Sequence, residues 1–278
     1  MMETFSDPLI KREKSGVLWY DFGSLIGDAV QAAVSTRRGG VSDGSFASLN
    51  LSYSVGDDPL RVRENRRRFA QAIGLDEARV TCAQQVHDNR IIYVGGGATG
   101  AGYERHETAI PGVDGMVTDR PGIGLWLMFA DCVPVLAYDE VRSAVGIAHA
   151  GWRGTLAGIA RVLVETMASH FGSCPSDLRL AIGPSIGPCC YTVGPEVEDA
   201  FCHAWGDAGH IFRTDDRGRR LDLWEANRWL LTQSGVPLER IAVAGRCTRC
   251  SSDEFFSHRG QQGRAGRIAA VIALRPGG

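Results

Sequence analysis

Three short segments carry side chains that could do chemistry at one centre. QQVHDNR supplies His87, FADCVP supplies Asp131 and Cys132, and IAHAGWRG supplies His149 and Arg153. Two imidazoles and a thiolate are good zinc ligands, and three protein ligands leave a fourth position open to water or substrate. Zinc would also explain a thiol in the most apolar part of the chain, because coordination keeps the sulfur as thiolate there. A metal-free reading uses the same residues: Cys132 as nucleophile with His149 or His87 as its base, giving covalent acyl or amide chemistry. Residue types alone do not separate the two. Taken singly, each residue also has a plainer role, a hydrogen-bonded core histidine or a packing cysteine.

Other polar residues fall near this set. Asp131 and Cys132 are adjacent on a segment read as extended, so their side chains point to opposite faces. Asp131 is then expected to hold a ligand or a loop from behind, and Asp114, in VDG, is a second candidate for handling protons. Arg37 in the TRRGG turn, Arg66 in the RRR run and Arg153 in GWRG are the anion-binding candidates. A guanidinium beside backbone N–H groups makes an oxyanion or phosphate site; pairing with a nearby acid is the plainer alternative. Cys247 and Cys250 form a CxxC in GRCTRC, while Cys189 and Cys190 adjoin in GPCC. The four would make a structural zinc site, but GPCC reads as a crowded turn whose neighbouring thiols fit one tetrahedral ion poorly. A redox CxxC lacks a thioredoxin-like context. Cys82, Cys174 and Cys202 read as packing.

The elements that must position these residues follow from periodicity. VQAAVS, RIIYVGG, SAVGIAHA, LRLAIGPSI, RIAVAG and RIAAVIAL read as strands. GIGLWLMFAD and VPVLAYD read as a buried strand pair, with Pro134 fixing the bend between them. A helix is predicted from Pro59 to Ile73, with Val62, Arg66, Phe69 and Ile73 on its inner face. A second is predicted from Thr155 to Phe171, carrying the apolar stripe Leu156, Ile159, Ala160, Leu163, Val164, Met167 and Phe171. GPEVEDAF opens a third, and LDLWEANRWLLTQSG is a fourth, with capping-box spacing at Asp222 and Glu225 and a stop at Gly235. GGGATGAG is expected to be a surface loop. Strands and helices mix without a strict βαβ rhythm, which favours an α+β or mixed-sheet arrangement over a Rossmann fold or a TIM barrel.

The whole chain sets outer bounds. Its 278 residues, 44% hydrophobic and 22% charged, can bury a substantial core. A net charge of -2 gives no reason to expect nucleic acid or a membrane surface as partner. Asp131 and Pro134 interrupt the best candidate for a membrane span, and the N-terminal MMETFSDPLIKREKSG lacks the apolar core of a secretory signal. A cytoplasmic protein is expected, with its eight cysteines as thiols or metal ligands. The 35 glycines predict many tight turns and at least one crowded site.

STRRGGVS, SLNL, GDD, ENR, QVH, VDGMVT, FADCVPVL, AHAGWRG, AIGPSIGPCCYTVG, DLWEANRWLL and CT followed by FFSHR occur in that order. Together they resemble the laccase-domain family of purine nucleoside phosphorylases, often labelled polyphenol oxidases. The resemblance implies one domain over residues 1–278, with mixed β-sheets sandwiched between helices in four layers, α/β/β/α. It implies a zinc ion on His87, Cys132 and His149, and phosphorolysis of purine nucleosides, accompanied by adenosine deamination and methylthioadenosine phosphorolysis. Arg37, Asn50, Arg66 and Arg153 sit in family motifs and are expected to bind substrate or phosphate. The expected partners are purine nucleosides and phosphate, and the expected assembly is a monomer or weak homodimer. A runner-up activity carried by the resemblance is amide hydrolysis of a cell-wall precursor, which matches the Cys–His reading. A third class, a nucleotide-binding module without catalysis, would keep the arginines and lack the metal. Cys250 departs from the family pattern and leaves room for a second metal. Copper at one site is compatible with these ligands, but a four-copper laccase needs on the order of ten histidines, several as H-x-H. The chain has seven and no H-x-H; His106, His170, His203 and His210 share no motif.

Overall fold

The computed structural model describes residues 9–216 and 218–276. The first half of the N-terminal stretch read for a signal lies outside the described residues. Two sheets dominate. One runs β1 (Ile10–Lys14), β2 (Val17–Asp21), β3 (Val30–Ser35), β15 (Ile268–Leu274), β8 (Gly124–Phe129), β4 (Val80–Gln84), β6 (Ile110–Pro111). The other runs β14 (Ile241–Val243), β11 (Leu178–Ile182), β9 (Val133–Asp139), β10 (Ala144–Ala150), β7 (Gly115–Thr118), β5 (Ile91–Tyr93). Each mixes parallel and antiparallel pairs. A two-stranded ribbon, β12 (Phe212–Asp215) with β13 (Gly218–Leu221), lies apart.

Side-chain alternation explains the layering. Leu125, Leu127 and Phe129 of β8 meet Leu136, Tyr138, Val145 and Ile147 of β9 and β10 in a core between the sheets. The intervening Trp126 faces the other way, onto Phe69 of a helix, with ring centroids 5.2 Å apart. On the far side Val133, Val135 and Ala137 meet Leu163, Met167, Phe201 and Leu230 from three helices. The order is helix, sheet, sheet, helices, as the resemblance implied.

The helices are α1 (Gly23–Ile26), α2 (Pro59–Ile73), α3 (Trp152–Leu156), α4 (Ile159–Phe171), α5 (Pro195–Trp205) and α6 (Leu223–Gln233). Helix α2 has the predicted bounds because its end signals are strong: Asp58 caps Leu60 N–H, Pro59 opens the first turn, and Gly74 closes it at φ 74°. The helix expected from Thr155 to Phe171 is broken, because Gly158 takes the left-handed conformation at φ 77°. Its first piece starts earlier, at Trp152, directly after the His149 strand.

Two further expectations are corrected. β8 and β9 do not pair; they belong to different sheets, and residues 130–132 step from one to the other. Pro134 is not the bend. It lies inside β9, opposite His149 of β10, and its carbonyl accepts from Gly183 N–H. The turn is made by Asp131, whose φ is 84°.

Candidate metal centre

Where the chain steps between sheets, three strand ends converge. Cys132 leads into β9, His149 sits near the end of β10, and His87 lies on the loop after β4. One ligand atom from each lies within 4.8 Å of the others, and the two imidazole rings are 4.8 Å apart between centroids, edge to face.

Asp114 holds this geometry. Its carboxylate accepts the backbone N–H groups of Val86, His87 and Asp88, each at 3.0 Å. It also contacts His149 Nδ1 at 2.8 Å, while its carbonyl accepts His149 N–H at 2.7 Å. One buried acid thus fixes the loop that carries one histidine and the ring of the other. With Nδ1 engaged, His149 presents Nε2 to the centre, the arrangement in which an acid behind a histidine sets its tautomer and basicity. Burial works against the Asp114 charge, but the His149 ring and the backbone donors outweigh it and hold the carboxyl below its ordinary value.

Glycines make the room. A Cβ on Gly151 would stand 3.0 Å from Cys132 Sγ and 3.1 Å from His87 Cδ2, and one on Gly154 would stand 3.1 Å from Asp88 O. The spacing in HAGWRG is therefore steric: only glycine lets the chain pass beside the three donors.

The donors are electrostatically coupled. Burial pushes the Cys132 thiol up, but His149 and His87 bring it down to about 6. Burial likewise disfavours charged His149, yet the Cys132 thiolate and the Asp114 carboxylate raise it to about 9. Each group thus favours the charged form of the other, thiolate beside imidazolium. A dication would take the place of the imidazolium proton and be held by two nitrogens and a thiolate, a soft, three-donor set that fits zinc.

The centre opens into a cleft of roughly 500 Å³, within the usual size of ligand sites. Four arginines line it: Arg66, Arg153, Arg259 and Arg267. Among the described residues none of them forms an ion pair with a carboxylate. Arg153 lies over the Trp152 ring at 4.5 Å and Arg259 over Tyr191 at 5.2 Å. Arg66 is buried and donates to the carbonyls of Leu51, Gly102 and Tyr103, so it shapes the wall as well as charging it. The RRR run divides as read: Arg67 and Arg68 pair with Glu64 outside.

The other expected residues divide. Arg37 is not in the cleft; it donates to the carbonyls of Ala47 and Ser252 in a separate surface depression. Asn50 is fully buried and bonds Ser52, Asp57 and the N–H of Arg267, so it acts on the cleft through Arg267. Asp131 does reach the cleft, but not from an extended strand. Its carboxylate accepts Thr248 Oγ1 at 2.6 Å and Arg259 N–H at 2.6 Å, which holds Arg259 in place. Arg259 and Arg267 went unassigned in the sequence, although Arg259 lies in the FFSHR segment. His106, set aside there, also lines the cleft, as does His258.

A family profile described as "Multi-copper polyphenol oxidoreductase laccase" matches residues 31–275. The chain belongs to this laccase-domain family. Among its relatives, one from Geobacillus stearothermophilus named purine nucleoside phosphorylase YlmD is 44% identical over 88% of this chain and 90% of that one. Another, named adenosine deaminase RL5, from an unknown prokaryotic organism, is 37% identical over 82% of this chain and 87% of its own. The crystal structure of YlmD from G. stearothermophilus superposes with a TM-score of 0.92 at 42% identity, covering 98% of this chain and all 100% of that one. The copper in the family description meets no histidine-rich cluster here. Among the described residues, the groups able to hold a metal are the His87–Cys132–His149 set and a cluster of four cysteines. No helix of the described residues is long and apolar enough to cross a membrane.

Proposed function

We propose that the protein is a zinc-dependent purine nucleoside phosphorylase, built as a single domain, that also deaminates adenosine and phosphorolyses methylthioadenosine. One observation carries the reading: an open His–Cys–His donor set lies in the same cleft as four arginines that have no carboxylate partner among the described residues. The names of relatives at 44% and 37% identity agree with it. In phosphorolysis a phosphate oxygen bonds to ribose C1′, the C1′–N9 bond breaks, and the purine leaves with the bonding pair and takes up a proton. Arg153 and Arg259 hold the phosphate and stabilise the charge that moves between it and the leaving base. Arg66 and Arg267 add positive potential from the buried wall, and Trp152 and Tyr191 offer flat apolar surface for the purine. His87, Cys132 and His149 would hold the zinc, which would supply Lewis-acid polarisation and a water of lowered pKa. Asp114, whose two oxygens take four contacts, orients His149, and Asp131 orients Arg259; both act as positioning groups.

Incubating inosine or adenosine with phosphate should release free base and ribose 1-phosphate in equal amounts, and Cys132→Ala should stop it. Base release that proceeds equally without phosphate, or no release with metal-loaded protein, would overturn the reading.

A second reading has its own support. Asp114, His149 and Cys132 form an acid–imidazole–thiol chain with the thiol held down to about 6, as an amide-cleaving nucleophile requires. A covalent Cys132 adduct formed by metal-free, active protein would favour it over phosphorolysis.

A further inference from the structure

Away from the cleft's donor set, Cys189, Cys190, Cys247 and Cys250 place their sulfurs within 4.8 Å of one another. All four are free thiols. Cys250 Sγ lies 3.5 Å from Cys189 Sγ and 3.4 Å from Cys190 Sγ. A tetrahedral ion with zinc–sulfur bonds of about 2.3 Å needs its sulfurs roughly 3.8 Å apart. The cluster is close to that spacing before any ion draws it together.

The objection from sequence was that adjacent cysteines serve one ion poorly, and the backbone removes it. Residues 187–191 form a tight turn, in which Cys190 N–H and Tyr191 N–H both donate to Gly187 O at 2.9 and 3.0 Å. In such a turn neighbouring side chains need not diverge as they do in a strand. Gly187 is required: a Cβ there would stand 2.7 Å from Trp224 and 3.3 Å from Cys189 Sγ. The CxxC pair closes a second turn, with Ser251 N–H on Cys247 O at 2.9 Å. Four thiolates around a dication carry two negative charges. Arg249 donates to the Cys190 carbonyl, and Arg220, which also pairs with Asp215, donates to that of Cys189.

We propose that these four cysteines form a second metal site, a closed zinc tetrathiolate that staples the 187–191 turn to the 247–250 turn. The dication replaces thiol protons, which pass to solvent, and nothing is oxidised. The staple bears on the cleft at short range. Tyr191 follows Cys190 and lines the cleft. Thr248 follows Cys247 and donates to Asp131, which also accepts Arg259 N–H and precedes Cys132. The proposal does not depend on the cleft's chemistry.

The test uses Cys132→Ala beside the wild type and a Cys189→Ser/Cys250→Ser variant, each purified, analysed for zinc, then exchanged with cobalt(II). Cys132→Ala should keep about one metal per chain, and its cobalt form should show the intense visible bands and sulfur-to-metal charge transfer of four thiolates. The double serine variant should lose that spectrum while keeping metal at the cleft. If it fails to fold, the Cys132→Ala spectrum decides alone. Cys132→Ala without metal and without the thiolate spectrum would overturn the proposal. So would peptide maps showing Cys250 disulfide-bonded to Cys189 or Cys190 in the protein as isolated.

Discussion

The molecule holds two cysteine-bearing sites built on opposite plans. The cleft's set takes one sulfur and two nitrogens from strand ends and a rigid loop, is fixed from behind by buried Asp114, and faces roughly 500 Å³ of open cleft. The other takes four sulfurs from two surface turns. Three donors with a vacancy suit chemistry, and four donors of one kind suit a clamp. One hydrogen bond, from Thr248 to Asp131, joins the chain neighbours of Cys247 and Cys132. Local order around the second site should therefore affect the first more than their separate chemistry suggests.

The largest effect expected is from Cys132→Ala. It should lower nucleoside turnover by about a thousandfold or more, since a catalytic metal supplies several kcal/mol. Its thermal unfolding should stay close to that of wild type lacking the cleft metal, because Cys132 is only partly buried and the clamp is intact. Calorimetry beside the assay checks both halves, and a large drop in melting temperature would assign the fold, not the chemistry, to this cysteine.

Asp114→Asn should come next. Removing an acid behind a ligand histidine typically costs about 10–100-fold in metal affinity, and here the same acid also holds the His87 loop. Competition with a coloured chelator measures the loss. The pH dependence has a definite sign. The Asp114 carboxyl is depressed in the folded state, so its stabilisation is present above the ordinary carboxylate pKa and lost as the pH falls through its lower folded value. His149 in metal-free protein is raised to about 9, so its contribution is present below the ordinary histidine pKa and lost as the pH rises through about 9. Metal-free protein should show both losses in melting temperature; Asp114→Asn should remove the acid one and only weaken the alkaline one, because the Cys132 thiolate is the larger cause that raises His149.

Thiol reactivity separates the sites at intermediate size. Burial raises Cys132, but the two imidazoles bring it down to about 6. Burial and neighbouring sulfurs push Cys190 up to about 11 and Cys189 further up. In metal-free protein at neutral pH, iodoacetamide should therefore modify Cys132 ahead of Cys189 and Cys190, although Cys189 is the more exposed. Time-resolved peptide mapping reads the order, and zinc should protect both sites.

The smallest catalytic effect belongs to Arg37. Replacing it with Ala should leave the KM for phosphate within about twofold and cost about 1–2 kcal/mol of stability through lost carbonyl bonds. Arg259→Ala should raise that KM about tenfold or more, as expected for a charge-assisted contact. Equal effects from the two would put the anion site elsewhere.

The sequence was most legible where one local rule decided the outcome. Helix α2 obeyed its cap, proline and glycine, and the polar residues of QVH, ADC and HAGWRG marked a centre because apolar strands otherwise exclude them. It misled where a tertiary choice intervened. Two adjacent apolar segments looked like a pair, but Asp131 turns the chain into another sheet. Gly158 broke an unbroken apolar stripe, since the stripe does not report a positive φ. Arg37 and Asn50 have the right residue types, yet backbone carbonyls and a buried network absorb them. Arg259 and Arg267 come from the C-terminal part of the chain and enter the cleft through contacts with Asp131 and Asn50 that no local pattern encodes. The four cysteines follow the same rule: GPCC reads correctly as a turn, but no local pattern shows that it brings Cys189 and Cys190 against Cys247 and Cys250.

The most direct test of the central claim is diffraction from wild-type crystals on both sides of the zinc absorption edge. An anomalous peak is expected between His87, Cys132 and His149, at about 2.3 Å from the sulfur and about 2.0–2.1 Å from each nitrogen. A map with no peak there, from protein that still phosphorolyses nucleosides, would contradict it.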